Sequence, residues 1–242
     1  MDQARIAELL KPFCRSIPAD PSSSSRHSTG SEEFLALSNL QLKQISTHLD
    51  LLLRWNARVN LTSVREPEEI VTRHFGESLF AASQLLPADV TEKNDENGKL
   101  HLLDVGSGAG FPGLPIKIWN PAIQLTLIEA NHKKATFLRE VARALALADV
   151  DVFAGRAEEY AGPSGDLVTL RAVERFDQTM PLAARLVRRA GRLALLIGEG
   201  QLERIRQLTP EFEWSPTVAI PLSQRRVLAV GTRKVSAENH PS

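Results

Sequence analysis

One segment restricts the fold more than any other: HLLDVGSGAGFPG (101–113), a short apolar run that breaks into three alternating glycines, Gly106, Gly108 and Gly110. Glycine turns backbone sharply and lets another atom approach it closely, and three in alternation exceed what a simple strand-to-helix turn requires. The turn therefore reads as a ligand cradle at the end of a buried strand. Its spacing leaves the ligand open, because Gly108 to Gly113 also satisfies GxGxxG, the dinucleotide fingerprint. Asp104 favours a cofactor without phosphates. A carboxylate there repels a pyrophosphate, yet it can organise the loop beneath or bond to the amino group of a methionine moiety. Glu129 ends the next apolar run, where an acid can accept both hydroxyls of an adenosine ribose, a device that nicotinamide enzymes share.

Around the turn the chain alternates short apolar runs with amphipathic helices. Further strands are read at IQLTLIE (123–129), VDVFA (150–154), DLVTLRA (166–172) and RLALLIG (192–198), with VLAVGT (227–232) closing the sheet as a hairpin. Between the second and third strands Leu138, Val141, Ala142 and Leu145 share one helical face. Strands separated in this way imply an α/β fold: a Rossmann-like, doubly wound, mainly parallel seven-stranded sheet with an N-terminal helical extension. Gly155-Arg156-Ala157-Glu158 follows the third strand, where backbone N–H groups can reach an adenine.

The organisation expected is a short helix and flexible polar linker over 1–31, a helical cap over 32–99, a catalytic domain over 100–235 and a polar tail over 236–242. Ile6, Leu9, Leu10 and Phe13 fall at helical spacing before the polar run of Pro18 to Ser31, and Leu42, Ile45, Leu49 and Leu52 mark a helix ending near Trp55. A second cap helix is expected from Glu68 to Leu85, opened by Pro67 and closed by Pro87, before a polar loop from Asp89 to Lys99.

Charge balance excludes a global field for a polyanion, since 29 Lys and Arg offset 29 Asp and Glu. Any nucleic-acid contact must use a local patch. The single Cys14 rules out an internal disulfide, and no Cys/His cluster has metal-ligand spacing. No apolar run approaches a membrane span, and Met1 to Phe13 lacks a signal-peptide core, so a cytoplasmic protein is expected. Asn60-Leu61-Thr62 matches a glycosylation sequon by accident of composition.

Two segments, LLRWNARVNLTSVREPEEIVTRHFGESL (52–79) and LLDVGSGAGFPGLPIKI (102–118), together with LRAV (170–173), resemble the RsmG (GidB) family of bacterial methyltransferases that modify guanine N7 in small-subunit (16S) ribosomal RNA. The first segment is the more specific, because many methyltransferases share only the loop. The resemblance implies S-adenosyl-L-methionine as cofactor, held by Gly106, Phe111, Ala157, Glu158 and Arg171, with Glu129 as the ribose acid. It implies the 16S rRNA or the small ribosomal subunit as partner, with no metal and no membrane, and a monomer as the default state. Arg54, Arg58, Arg65, Arg73 and His74 become candidates for an RNA-facing edge, with Lys133-Lys134 and Arg188-Arg189 as further cationic pairs.

Guanine N7 carries a lone pair in the neutral base, so alignment can supply most of the catalysis. No side chain is required as general base, and Arg171 is the one catalytic candidate. The target must lie in an accessible loop or leave its stack, because N7 faces the deep groove of A-form RNA. The chain lacks an Asn/Asp-Pro-Pro-aromatic motif after the fourth strand, and Cys14 lies too early to attack a pyrimidine. Two positions depart from the family pattern: Ile197 stands where many members have lysine, and Glu77 replaces an aspartate. Competing readings are a methyltransferase acting on another RNA or a small molecule, a NAD-binding oxidoreductase, and a non-catalytic RNA-binding module.

Overall fold

A computed structural model describes residues 1–14, 36–86, 98–171 and 176–235. The expected linker at 18–31, most of the 89–99 loop, Ala172 and Val173 of the LRAV segment, and the tail at 236–242 lie outside the described residues.

The N-terminal helices are α1 (Gln3–Leu10), α2 (Asn39–Val59), the single turn α3 (Pro67–Ile70) and α4 (Glu77–Leu85). α2 begins one turn ahead of Leu42, where Ser38 and Gln41 form a reciprocal capping box that fixes the start. It stops where Asn60 takes the left-handed conformation at φ 52°. The second expected helix is interrupted: Val71–Gly76 forms a π-helical turn between α3 and α4. That widened turn carries the Arg-His pair of the signature, and such turns are frequent at functional sites.

The sheet follows as β1 (His101–Val105), α5 (Gly113–Trp119), β2 (Gln124–Ile128), α6 (His132–Ala144), β3 (Val150–Phe153), β4 (Gly165–Arg171), α7 (Phe176–Leu186), β5 (Val187–Gly198), α8 (Leu202–Leu208), β6 (Phe212–Trp214), β7 (Val218–Ala219) and β8 (Arg226–Arg233). The strand order is β3-β2-β1-β4-β5-β8-β6, parallel from β3 through β5 and antiparallel at β8. The eighth strand is the two-residue β7, which pairs with β8 beside the expected seven-stranded path. β1 pairs with both β2 and β4, so the chain reverses its winding direction there and opens a crevice at the carboxyl ends of the strands.

Alternation along the strands divides the core into two layers. On β5, Ala194 and Leu196 join the layer under α2, α5 and α6, while Leu193, Leu195 and Ile197 join the layer under α7 and α8. The cap shares the first layer: Ile6, Ile45, Leu52 and Phe75 belong to one buried cluster with Leu102, Leu125 and Phe137. Cap and sheet thus close over a common core, which places the signature segment directly behind the glycine turn.

Candidate active site

The turn after β1 is built from backbone. Gly106, Gly108 and Gly110 take φ of +71°, +56° and +89°, a region that costs any side-chain-bearing residue. A Cβ on Gly106 would meet no protein atom within 4 Å, so this glycine leaves open room on the ligand side. Gly113 faces inward instead, since a Cβ there would lie 2.8 Å from Leu127 Cδ2 and 2.9 Å from Asp104 Oδ2.

Asp104 lies beneath the turn, fully buried. Its Oδ1 accepts from Thr169 Oγ1 at 2.8 Å and its Oδ2 from the Gly113 N–H at 3.3 Å. Burial pushes its pKa up to about 6, against the lowering effect of those hydrogen bonds. Of the two roles open to it, the structure places it in the first: Asp104 organises the loop and does not line the cleft. Glu129 works similarly from β2. Its Oε2 accepts from the Gly108 N–H and its Oε1 from the Asn131 N–H, each at 2.8 Å. A carboxylate has about four acceptor sites, which leaves capacity for ribose hydroxyls.

Above these groups lies a cleft of about 210 Å³ at the ends of β1, β2 and β3, lined by Gly106, Ala130, Gly155, Arg156, Ala157 and Glu158, with Gln178, Thr179 and Leu182 of α7 opposite. Gly106, Ala157 and Glu158 are therefore together. The α7 wall was not visible in the sequence, because nothing local marks a helix face that meets a distant turn.

Phe111 and Arg171 stand outside that lining. Phe111 is buried, its ring stacked on His48 at 5.1 Å and 10° and meeting Phe75 edge-on at 4.9 Å. His48 is a residue that sequence reasoning missed, although it falls on the apolar face of α2. Its Nε2 donates to the Ala109 carbonyl at 3.0 Å, and Nδ1 has no partner. Burial pushes its pKa down to about 4, so it stays neutral and ties the cap to the glycine turn.

Arg171, at the end of β4, is enclosed by the signature segment. Its Nη2 lies 2.6 Å from the Arg73 carbonyl, 2.9 Å from His74 Nδ1 and 3.1 Å from Glu77 Oε2. Arginine has no acceptor, so His74 Nδ1 must be the bare nitrogen and Nε2–H the donor to Thr62 Oγ1 at 2.7 Å. Thr62 in turn exchanges two hydrogen bonds with Asn56, each 3.0 Å. Trp-Asn, Asn-Leu-Thr and Arg-His are thus successive parts of one brace running from the end of α2 to the end of β4. His74 turns inward, partly buried, with its pKa driven down to about 3 by burial and by Arg171, Arg73 and Arg226. Both of its ring nitrogens are engaged in the brace.

Glu77 anchors the brace and also holds Arg226 of β8, whose Nη2 is 3.0 Å from the same Oε2. Burial raises the Glu77 pKa, while Arg171 and Arg226 pull it back. Arg226 pairs in register with Gly198, so a cation stands on the strand beside Ile197 of β5. The other cationic candidates are exposed. Arg73 pairs with Glu69 at 2.8 Å, Arg54 donates to the Asp50 carbonyl at 3.3 Å, Arg65 donates to Asn60 Oδ1 at 3.2 Å, and Arg58 lies in the last turn of α2. Lys133 opens α6, and Arg188 pairs with Asp166 at the opposite end of the sheet.

Among the described residues no group of His, Cys, Asp and Glu could hold a metal, and no helix is long and apolar enough to cross a membrane.

The fold and the turn define a class, the Rossmann-like S-adenosylmethionine-dependent methyltransferases. A ribosomal protein L11 methylase from Lactobacillus delbrueckii subsp. bulgaricus matches with a TM-score of 0.54 over 67% of this chain and 79% of that one, at 15% sequence identity, a likeness of fold alone. The chain belongs to the GidB family, rRNA small subunit methyltransferase G, whose model matches residues 41–226. Ribosomal RNA small subunit methyltransferase G of Staphylococcus epidermidis is 32% identical over 87% of this chain and 90% of its own length. The protein of that name from Streptococcus pneumoniae is also 32% identical, over 86% and 90%.

Proposed function

We propose that this protein transfers a methyl group from S-adenosyl-L-methionine to N7 of a guanine in small-subunit (16S) ribosomal RNA, acting as a cytoplasmic monomer on the RNA or on the subunit that contains it. The observation that carries the N7 reading is the protonation state of the brace beside β4. His74 has both ring nitrogens engaged, and Glu77 is clamped by two guanidiniums. Neither is free to take a proton, which suits a ring nitrogen that attacks without losing one and disfavours amino or carbon targets.

Gly106, Ala157 and Glu158 would hold the cofactor, with Glu129 beneath the turn as the ribose acid. When bound there, the cofactor supplies a methyl group on a sulfonium, electrophilic toward a lone pair. The remaining work of the chain is to orient: Asp104, Glu129 and His48 fix the turn, and the brace fixes the end of β4. Borohydride and aniline cleavage of small-subunit rRNA from cells with and without the gene tests this reading, since only 7-methylguanosine gives the break. A break in wild-type RNA that disappears with the gene is expected, and identical cleavage in both overturns it.

A further inference from the structure

Beside the cofactor cleft a second one, of about 240 Å³, opens at the carboxyl ends of β4 and β5. Leu170, Phe176, Leu196 and Ile197 supply its apolar walls, and α7 serves both clefts, Phe176 here and Gln178, Thr179 and Leu182 there. The polar side chains among its described lining are Gln201 and Arg226. Both offer donors. A guanidinium cannot accept, and the Gln201 carbonyl oxygen is already engaged by the Gly198 N–H at 3.1 Å, which leaves its NH2 group for a ligand. Arg226 is held from behind by Glu77, and its side chain keeps 23% exposure where that of Arg171 keeps 6%. Of the two guanidiniums on Glu77, Arg226 is the one a ligand can reach.

We propose that this cleft seats the target guanine and that Arg226, assisted by Gln201, donates to its O6 and so selects guanine over adenine. The inference rests on the functional reading above and names how that site would recognise its base. An extruded base needs a slot with flat apolar walls, which the Leu, Ile and Phe side chains provide. Beside N7, guanine carries the O6 acceptor, whereas adenine carries an amino donor at that place. The described polar side chains, as donors, accept the first and leave the second facing unpaired N–H groups. Donation to O6, rather than to N7, keeps the attacking lone pair bare.

The test uses small subunits reconstituted with rRNA carrying guanine or 2-aminopurine at the methylated position. The analogue retains N7 and has hydrogen in place of O6. With tritiated S-adenosylmethionine, wild type is expected to favour guanine roughly tenfold or more in kcat/KM. Arg226→Gln is expected to lose roughly tenfold on guanine and little on 2-aminopurine, while its Kd for S-adenosylhomocysteine stays within about twofold. Arg226→Lys keeps a cation against Glu77 and so guards against misfolding; it should retain part of the preference. Gln201→Leu should show a smaller loss with the same base dependence. Equal losses on both bases in Arg226→Gln and Arg226→Lys overturn the inference. A wild-type enzyme that leaves no aniline-cleavable guanine in the reconstituted subunits overturns the functional reading itself, and the inference with it.

Discussion

The glycine turn and the brace behind it are both rigid, but by opposite means. At the turn, backbone N–H groups of Gly108, Gly113 and Asn131 donate to two carboxylates beneath, and small residues keep the ligand side open. At the brace, side chains from residues far apart in the chain are locked to one another, with Glu77 buried between Arg171 and Arg226. The turn shapes space and the brace fills it. Damage to the first should remove binding from a folded protein, whereas damage to the second should remove the fold.

The largest expected effect is therefore on the brace. Glu77→Ala leaves two guanidiniums without their carboxylate, and removing one partner of a buried ion pair costs about 3–5 kcal/mol. Urea unfolding should register that loss. Glu77→Asp shortens the reach but keeps the charge, and most of the stability should survive. A Glu77→Ala protein as stable as wild type would break the contrast at its strongest point.

Gly106→Val tests the other side. A β-branched residue is strained at φ +71°, and its side chain points away from protein atoms toward the cleft. S-adenosylhomocysteine affinity should fall roughly hundredfold or more, about 2.8 kcal/mol at 1.4 kcal/mol per tenfold, as read by calorimetric titration. Glu129→Ala removes the acceptor for Gly108 and Asn131 and should weaken the same affinity by about 1–3 kcal/mol, the cost of a lost charged hydrogen bond. Undiminished affinity in both variants would show that the turn is a structural corner only.

His48 joins the two regions, so its titration sharpens the comparison. Its folded pKa of about 4 lies below the ordinary 6.5. The unfolded chain therefore binds a proton that the folded one refuses, and the stabilising contribution, complete above pH 6.5, is lost as pH falls toward 4. The slope is about 1.4 kcal/mol per pH unit. Asp104, raised to about 6, acts in the opposite sense, because below that value the folded carboxyl takes a proton first. The informative quantity is the difference between wild type and His48→Gln, in which every other group cancels. The stability of wild type minus that of His48→Gln should fall with the stated slope as pH drops from 6.5 to 4, and a flat difference would mean that His48 is not held neutral.

Which of these residues could be read from the sequence follows from range. Strands, the glycine turn and the face of α6 are encoded by neighbours in the chain, where alternation and helical spacing decide which side is buried, and they were legible. Asp104 and Glu129 were legible as positions, since strand ends converge at a switch point. Asp104's role was not, because only packing against Gly113 and Thr169 shows that it faces the loop. His48, Glu77 and Arg226 act across the chain, with Arg226 meeting Glu77 from the far end of the sequence. No local period encodes such a meeting. The Arg-His pair was marked by resemblance, which identified its importance without its direction: a π-helical turn rotates His74 inward and leaves Arg73 outside.

That division yields the smallest expected effect. Arg58 lies exposed in the last turn of α2, outside the brace, whereas Arg65 donates to Asn56 and Asn60 and Arg73 pairs with Glu69. If α2 presents Arg58 to RNA phosphates, Arg58→Ala should raise KM for the subunit only severalfold, leave kcat and thermal stability unchanged, and reduce the slope of log affinity against log salt by about 1. His74→Ala should behave differently, lowering stability by about 1–3 kcal/mol through the hydrogen bonds that Thr62 and Arg171 lose while leaving the salt slope alone. A salt slope that falls for His74→Ala and not for Arg58→Ala would place the RNA on the brace itself, and would turn that inner framework into the binding edge.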